Sequence, residues 1–316
     1  MVGKKLALAV GTLILSLGLI GCRNTENTKN GASDQPKKVE QVKVIKTEMG
    51  EVTVPEKPAR VLVNWYVGDV TTLGVKPVAY SGWAQETMPF YEEIKDIPVI
   101  KKWEKEEIMS YKPDVIITYS PEDFEKYSKI APVVVVSEGT DSPLERLKFL
   151  GHVLGREKEA ETAITTFETK LASAKKQFST DVFKDKTFSI SQDWPGPSSS
   201  VFYETASRGG TLLYDYIGLK KPEKLIELVT KTGETRGALS YEVAADYFGD
   251  YAIWFTPEEK ESEFEKTAIW KNIPAVKNER VITISSNYTG LFYYSDVASL
   301  TAQIDFALKN IVPVVS

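Results

Sequence analysis

The chain has 316 residues, a formal net charge of −5 at neutral pH, one cysteine and one histidine. That length can bury the core of one large or two modest domains, and an acidic balance without a basic stripe argues against a nucleic-acid partner. One cysteine leaves no disulfide framework, and one imidazole excludes a His-rich zinc site.

At the N-terminus, Lys4 and Lys5 precede an apolar run from Leu6 to Ile20, and Gly21 then stands before Cys22. A basic start, an apolar stretch of this length and a small residue make a signal-peptide pattern; the run is too short for a membrane span. Its end resembles a bacterial lipobox, in which the chain is cut before the cysteine and the thiol is lipidated. The expectations are a signal peptide over 1–21, lipidation of Cys22, and a place on the outer face of the cell membrane, as for Gram-positive surface lipoproteins. Residues 22–40 are polar and read as a flexible tether.

A folded region follows. Val61-Leu62-Val63 after Pro58, Val75 to Ala79, the β-branched Asp114 to Thr118 and Val133 to Val136 are predicted strands, with a helix over Pro121 to Ile130. Strand, helix and strand in short alternation predict a parallel sheet. Ser142 to Phe178 is helical, with Gly151 and Gly155 expected to interrupt its first part. Over 157–178 there is no Gly or Pro, and Ala160, Ala163, Ile164, Phe167 and Leu171 recur at helical spacing. A helix of 22 residues is about 33 Å long. The pattern then restarts, with strands at Phe188 to Ile190, Tyr251 to Phe255 and Val281 to Ile284, and helices at Gly210 to Tyr216 and Ser295 to Lys309. The predicted fold is α/β: two Rossmann-like lobes, 41–156 and 179–316, joined by one long helix over 157–178. A cleft between two such lobes is a default ligand site.

The chain resembles the substrate-binding lipoproteins of ABC importers for ferric siderophores, haem and cobalamin. The resemblance runs from about Val44 to Ile311. Its pieces are Pro-Ala-Arg-Val-Leu-Val (58–63), Leu-Gly-Val-Lys-Pro-Val (73–78), Lys-Pro-Asp-Val-Ile-Ile (112–117), Ile-Ala-Pro-Val (130–133), Leu-Gly-His-Val-Leu-Gly-Arg (150–156), Ser-Tyr-Glu (240–242) and Trp-Lys-Asn-Ile-Pro-Ala-Val (270–276). It implies a class III periplasmic-binding-protein-like fold with a stiff backbone helix, non-covalent capture without catalysis, and no resident cofactor. The cargo would be an Fe(III)–siderophore complex in which the siderophore fills all six iron positions and no protein residue ligates the metal. It also implies a monomer that delivers to an ABC permease heterodimer or homodimer with its cytoplasmic ATPase.

The family docks on its permease through one glutamate from each lobe. The matching positions are Glu106, eight residues before Asp114, and Glu242 in Ser-Tyr-Glu; Glu104 and Glu107 are neighbouring alternatives to the first. Arg208, in Ser-Arg-Gly-Gly-Thr-Leu-Leu-Tyr (207–214), resembles the arginine that hydroxamate-siderophore binders place on the iron-bound oxygens. Those oxygens keep negative density, and a planar guanidinium can address two of them. Gly209 and Gly210 permit close backbone approach there. Aromatic residues in predicted loops suit a bulky, largely apolar ligand: Trp65, Trp83, Trp194, Tyr203 and Tyr293 are the candidates, with Tyr66, Phe202, Tyr288, Phe292 and Tyr294 beside them. Where hydroxamate binders commonly carry a tryptophan shortly before the arginine, this chain has Ala206.

A ferric catecholate or citrate-type ligand is the alternative, and Lys101, Lys102, Arg208 and Arg236 would supply the cations it needs. Haem and cobalamin rank lower. His152 reads as a structural histidine in an apolar helix, and Met49, Met88 and Met109 form no haem pattern. An extracellular hydrolase ranks lower still, because no Gly-x-Ser-x-Gly elbow is present.

Overall fold

The computed structural model describes residues 41–139, 141–194, 200–256 and 261–315. The expected leader, Cys22, the tether and the Trp194 side chain lie outside the described part.

The described chain opens with an antiparallel hairpin, β1 (Val42–Thr47) and β2 (Gly50–Pro55). The first sheet has four strands, β3 (Val61–Asn64), β4 (Ala79–Ser81), β5 (Val115–Thr118) and β6 (Val133–Val135), in the order β4-β3-β5-β6 and all parallel. Its β3, β5 and β6 are buried along their full length, as strands covered on both faces must be. Asp114 of Lys-Pro-Asp explains its motif: its carboxylate accepts the backbone N–H groups of Ala59 (2.7 Å) and Arg60 (2.9 Å), tying the start of β5 to that of β3. The strand expected over Val75 to Ala79 begins only at Ala79. The preceding helix, α1 (Val67–Thr72), ends through a left-handed Gly74, and Pro77 has no N–H for a ladder.

Four helices follow: α2 (Tyr91–Ile94), α3 (Lys105–Ser110), α4 (Glu122–Tyr127) and α5 (Pro143–Leu154). A capping box of Ser142 and Glu145 starts α5, and Gly155, at φ 64°, ends it. Gly151 does not interrupt α5. It lets α6 (Glu157–Phe178) come close, since a Cβ there would lie 2.9 Å from that of Ala160. The α6 helix packs against α1 and α5 on one hand and against elements of the chain's second half on the other.

The second sheet is mixed. Its strands are β7 (Phe188–Trp194), β8 (Ser200–Glu204), β9 (Arg236–Ser240), β10 (Tyr251–Phe255) and β11 (Val281–Ile284), in the order β11-β10-β7-β8-β9. β10 pairs in parallel with β11 and β7, whereas β8 is antiparallel to both its neighbours. The helix expected over Gly210 to Tyr216 is a π-helix over Thr211–Ile217. The remaining helices of this half are α7 (Glu223–Thr232), α8 (Tyr241–Ala244), α9 (Ala268–Asn272), α10 (Pro274–Lys277), α11 (Val297–Asn310), capped by Asp296, and the short α12 (Val312–Val315). One continuous apolar core takes in Val63 and Ile117 of the first sheet, Ile164 and Phe167 of α6, Ile190 and Ile253 of the second sheet, and Leu300 and Ile304 of α11. Among the described residues no helix is long and apolar enough to cross a membrane.

Candidate ligand-binding cleft

The candidate site gathers where the parallel strands end at their carboxyl edges, the usual ligand position in open α/β sheets. Trp65 directly follows β3, Trp83 stands just beyond β4, Tyr119 directly follows β5, and Tyr293 and Tyr294 lie in the connection after β11. Their rings form one aromatic wall built from both halves of the chain. Trp65 is 5.7 Å from Tyr293, 5.0 Å from Tyr294 and 6.4 Å from Tyr119, and Trp83 is 4.6 Å from Tyr293, all centroid to centroid. Tyr294 also pins the two halves together. Its hydroxyl accepts from the Trp83 N–H (3.0 Å) and donates to the Trp83 carbonyl (3.1 Å). Gly82 makes room for this, because a Cβ there would stand 2.6 Å from the Tyr294 oxygen.

Arg208 sits on the turn between β8 and the π-helix. Its Nε donates to Gln192 Oε1 (3.1 Å), and its guanidinium carbon lies 5.9 Å from the rings of both Tyr293 and Phe255. The turn depends on its glycines through packing within the chain. A Cβ on Gly209 would press on the Phe292 ring at 3.1 Å, and one on Gly210 would meet the Thr205 carbonyl at 2.4 Å. Two residues of the cleft, Trp65 (φ 74°) and Arg208 (φ 54°), hold left-handed backbone without being glycine. A bulky side chain there is strained, and such strain collects at functional sites.

Beside Arg208, Glu204 is almost fully buried. It accepts from Arg236 Nε (2.8 Å) and from the Ser207 hydroxyl. Burial raises its pKa, while Ser207, Arg236 and Arg208 pull it back down. Arg236 also covers the Phe202 ring, 4.7 Å away. Strand alternation explains why Tyr203 departs from expectation. It points to the opposite face of β8 from Glu204, is 4% exposed, packs with Trp254 and Phe264 in a second core, and donates its hydroxyl to the Glu234 carbonyl.

A cavity of about 380 Å³ is lined by Trp65 and Tyr293 of the aromatic wall together with Arg236, Asp69, Arg146 and Asp296 among others. Its floor is a charge network that sequence reasoning missed. Arg146 of α5 donates through Nε to Asp69 Oδ2 of α1 (2.9 Å) and through Nη2 to the Ser295 carbonyl (3.3 Å), and stacks over Tyr66 (4.9 Å). Asp296 accepts from the Ser299 N–H and hydroxyl. Burial pushes Asp69 up to about 6, with Asp296 adding to the rise and Arg146 opposing it; burial also raises Asp296. The available signals were an acid within the apolar Val67-Gly68-Asp69-Val70 and an Asp-x-x-Ser helix cap.

The docking candidates are at the surface. Glu106 is exposed on α3, whereas the Glu107 carboxylate is occupied by the N–H groups of Lys101 (3.3 Å) and Lys102 (3.2 Å). Glu104 is exposed at the α3 N-cap. Glu242 is exposed in the first turn of α8, its pKa lowered by Ser240 and by its own N–H. Lys101 and Lys102 do not line the cavity. His152 is not buried in its helix: it is exposed, 3.1 Å from Glu157. Among the described residues no cluster of three or more His, Cys, Asp or Glu is arranged to hold a metal ion.

The family described as periplasmic binding protein matches residues 52–288. The chain is 30% identical over 309 residues to the iron(3+)-hydroxamate-binding protein YxeB of Bacillus subtilis (strain 168), spanning 96% of this chain and 95% of that protein. It is 32% identical over 325 residues to the iron(3+)-hydroxamate-binding protein FhuD of the same organism, spanning 98% of each. It shares its fold with FhuD2 from Staphylococcus aureus with bound ferrioxamine B, at a TM-score of 0.68 and 24% identity, covering 81% of this chain and 98% of that one. The chain belongs to the periplasmic binding protein family, whose members here are substrate-binding proteins and not enzymes.

Proposed function

We propose that this protein captures a ferric siderophore of the hydroxamate type and delivers it to an ABC permease for iron uptake. The observation that carries this reading is Arg208, oriented by Gln192 beside an aromatic wall contributed by both halves of the chain. A ferric tris-hydroxamate offers what this wall and guanidinium can hold: an apolar periphery and iron-bound oxygens that accept charged hydrogen bonds. The two hydroxamate-binding relatives, similar over almost their full length, support it. Two cations at the cavity are already matched, Arg146 by Asp69 and Arg236 by Glu204. The cleft therefore offers little net positive charge to a polyanionic ferric catecholate.

In the same reading, Cys22 carries the lipid anchor outside the cell and residues 22–40 give the reach to meet the permease. Lobes 41–156 and 179–316 close on ligand about the 157–178 helix, and Glu106 and Glu242 set the docking register. The test is a titration of intrinsic tryptophan fluorescence, to which Trp65 and Trp83 report. Ferrioxamine B or ferrichrome is expected to quench it saturably at sub-micromolar concentration, and Arg208→Ala to weaken binding by ~10-fold or more. No quenching by either, beside a clear response to a ferric catecholate, overturns the hydroxamate assignment.

A further inference from the structure

We propose that the cavity lined by Trp65, Tyr293 and Asp69 is an ammonium-binding subsite, so that this protein favours hydroxamate siderophores carrying a cationic alkylamine tail. The inference rests on the siderophore reading above and narrows it to a class of ligand.

Three features of the cavity converge. First, its charge balance calls for a cation. Asp69, Glu138 and Asp296 line it together with Arg146 and Arg236. Arg146 is held by Asp69, and Arg236 is held from behind by Glu204. Counting Glu204 outside the lining, and Arg208, which also acts on it, four carboxyl groups stand against three guanidiniums. Second, Asp69 is 1% exposed, yet its Oδ1 has no hydrogen-bond partner. A buried acceptor left unsatisfied is costly, and an ammonium brings three donors. Third, Trp65, Tyr66, Tyr293 and Tyr294 also line the cavity, and aromatic rings together with carboxylates are the setting that receives an alkylammonium through cation–π attraction. Size agrees. A tail of six heavy atoms, each taking about the ~30 Å³ of a water molecule, occupies roughly half of the cavity.

The test compares two ligands that differ only at the amine: ferrioxamine B, with a free primary ammonium, and its N-acetylated form. The intact chain is expected to bind the ammonium form ~10-fold more tightly or better. Glu138→Gln changes an exposed residue, whereas Asp69→Asn leaves Arg146 short of its partner. The expected ratio falls with Glu138→Gln and approaches one in the double variant. Equal affinities in the unaltered chain, or a ratio untouched by the double variant, overturn the subsite. A second arm uses pentylammonium alone, with pentanol as the neutral control, read by tryptophan fluorescence. If neither ferrioxamine binds but pentylammonium saturates, the siderophore reading falls and the subsite stands. If both ferrioxamines bind equally and pentylammonium has no effect beyond pentanol, the subsite falls and the siderophore reading stands.

Discussion

Trp65 places a large ring at the cleft by accepting backbone that only glycine adopts freely (φ 74°), and its N–H donates to the Ser81 carbonyl at 2.9 Å. The strain belongs to the Cβ and the cleft contacts belong to the ring, so two substitutions separate them. Trp65→Ala and Trp65→Gly both remove the ring and are expected to lose ligand affinity to the same degree. Trp65→Gly is expected to be the more stable by about 1 kcal/mol, the reverse of the usual Ala–Gly order, because it alone relieves the left-handed penalty. Urea unfolding beside the quenching titration checks this; an alanine variant as stable as the glycine variant removes the strain argument. At this scale, legibility in the sequence followed locality. Arg208, Trp65 and Tyr293 stand in short motifs, and the fold brings Trp65 to 5.7 Å and Arg208 to 5.9 Å from the Tyr293 ring, whereas Tyr203 lies on the other face of its strand by one step of alternation. Asp69, Arg146 and Asp296 come from three distant segments, and no local pattern announces that they meet.

Among the elements, the turn from β8 into the π-helix carries most of the site's geometry. Gly210→Ala would push a Cβ to 2.4 Å from the Thr205 carbonyl, which is backbone and cannot swing aside. The expected result is a loss of about 2 kcal/mol or more in unfolding free energy together with weakened ligand binding, because the turn must move and Arg208 with it. Gly218→Ala, at φ 91° with no atom within 4 Å of the added Cβ, is the control. It is expected to cost about 1 kcal/mol and to leave the titration unchanged. Equal effects from both would detach the turn from binding. The π-helix itself was read as an ordinary helix, since the apolar spacing of Leu212, Leu213 and Tyr214 does not distinguish a widened turn. β3, β5 and β6 of the first sheet were legible because burial on both faces leaves continuous apolar, β-branched-rich runs, whereas the short β4, Ala-Tyr-Ser, carries no such run. The antiparallel β8 and β9 were not, since the Glu204–Arg236 ion pair across them, with Arg236 over the Phe202 ring, breaks that pattern.

For the molecule as a whole, Glu106 on α3 and Glu242 on α8 are exposed carboxylates, one from each half of the chain. If they dock on the permease, charge reversal should separate capture from delivery. The double variant Glu106→Lys with Glu242→Lys is expected to bind ferric hydroxamate within about 2-fold of the unaltered chain. Cells carrying only that variant are expected to take up iron-loaded ligand ~10-fold more slowly or worse, each single variant falling between. Uptake at the normal rate by the double variant would place the docking surface elsewhere.

The core that runs without a break from Val63 and Ile117 through Phe167 of α6 to Ile253 and Leu300 means that the two halves of the chain share a large apolar interior, beside the smaller clusters that each keeps to itself. Cooperativity follows from that sharing: melting one sheet strips the packing from the other. A ligand seated in the cleft therefore adds its binding free energy to the stability of the whole body and not to one half. The occupied receptor is correspondingly harder to unfold, and harder for a surface protease to open, than the empty one.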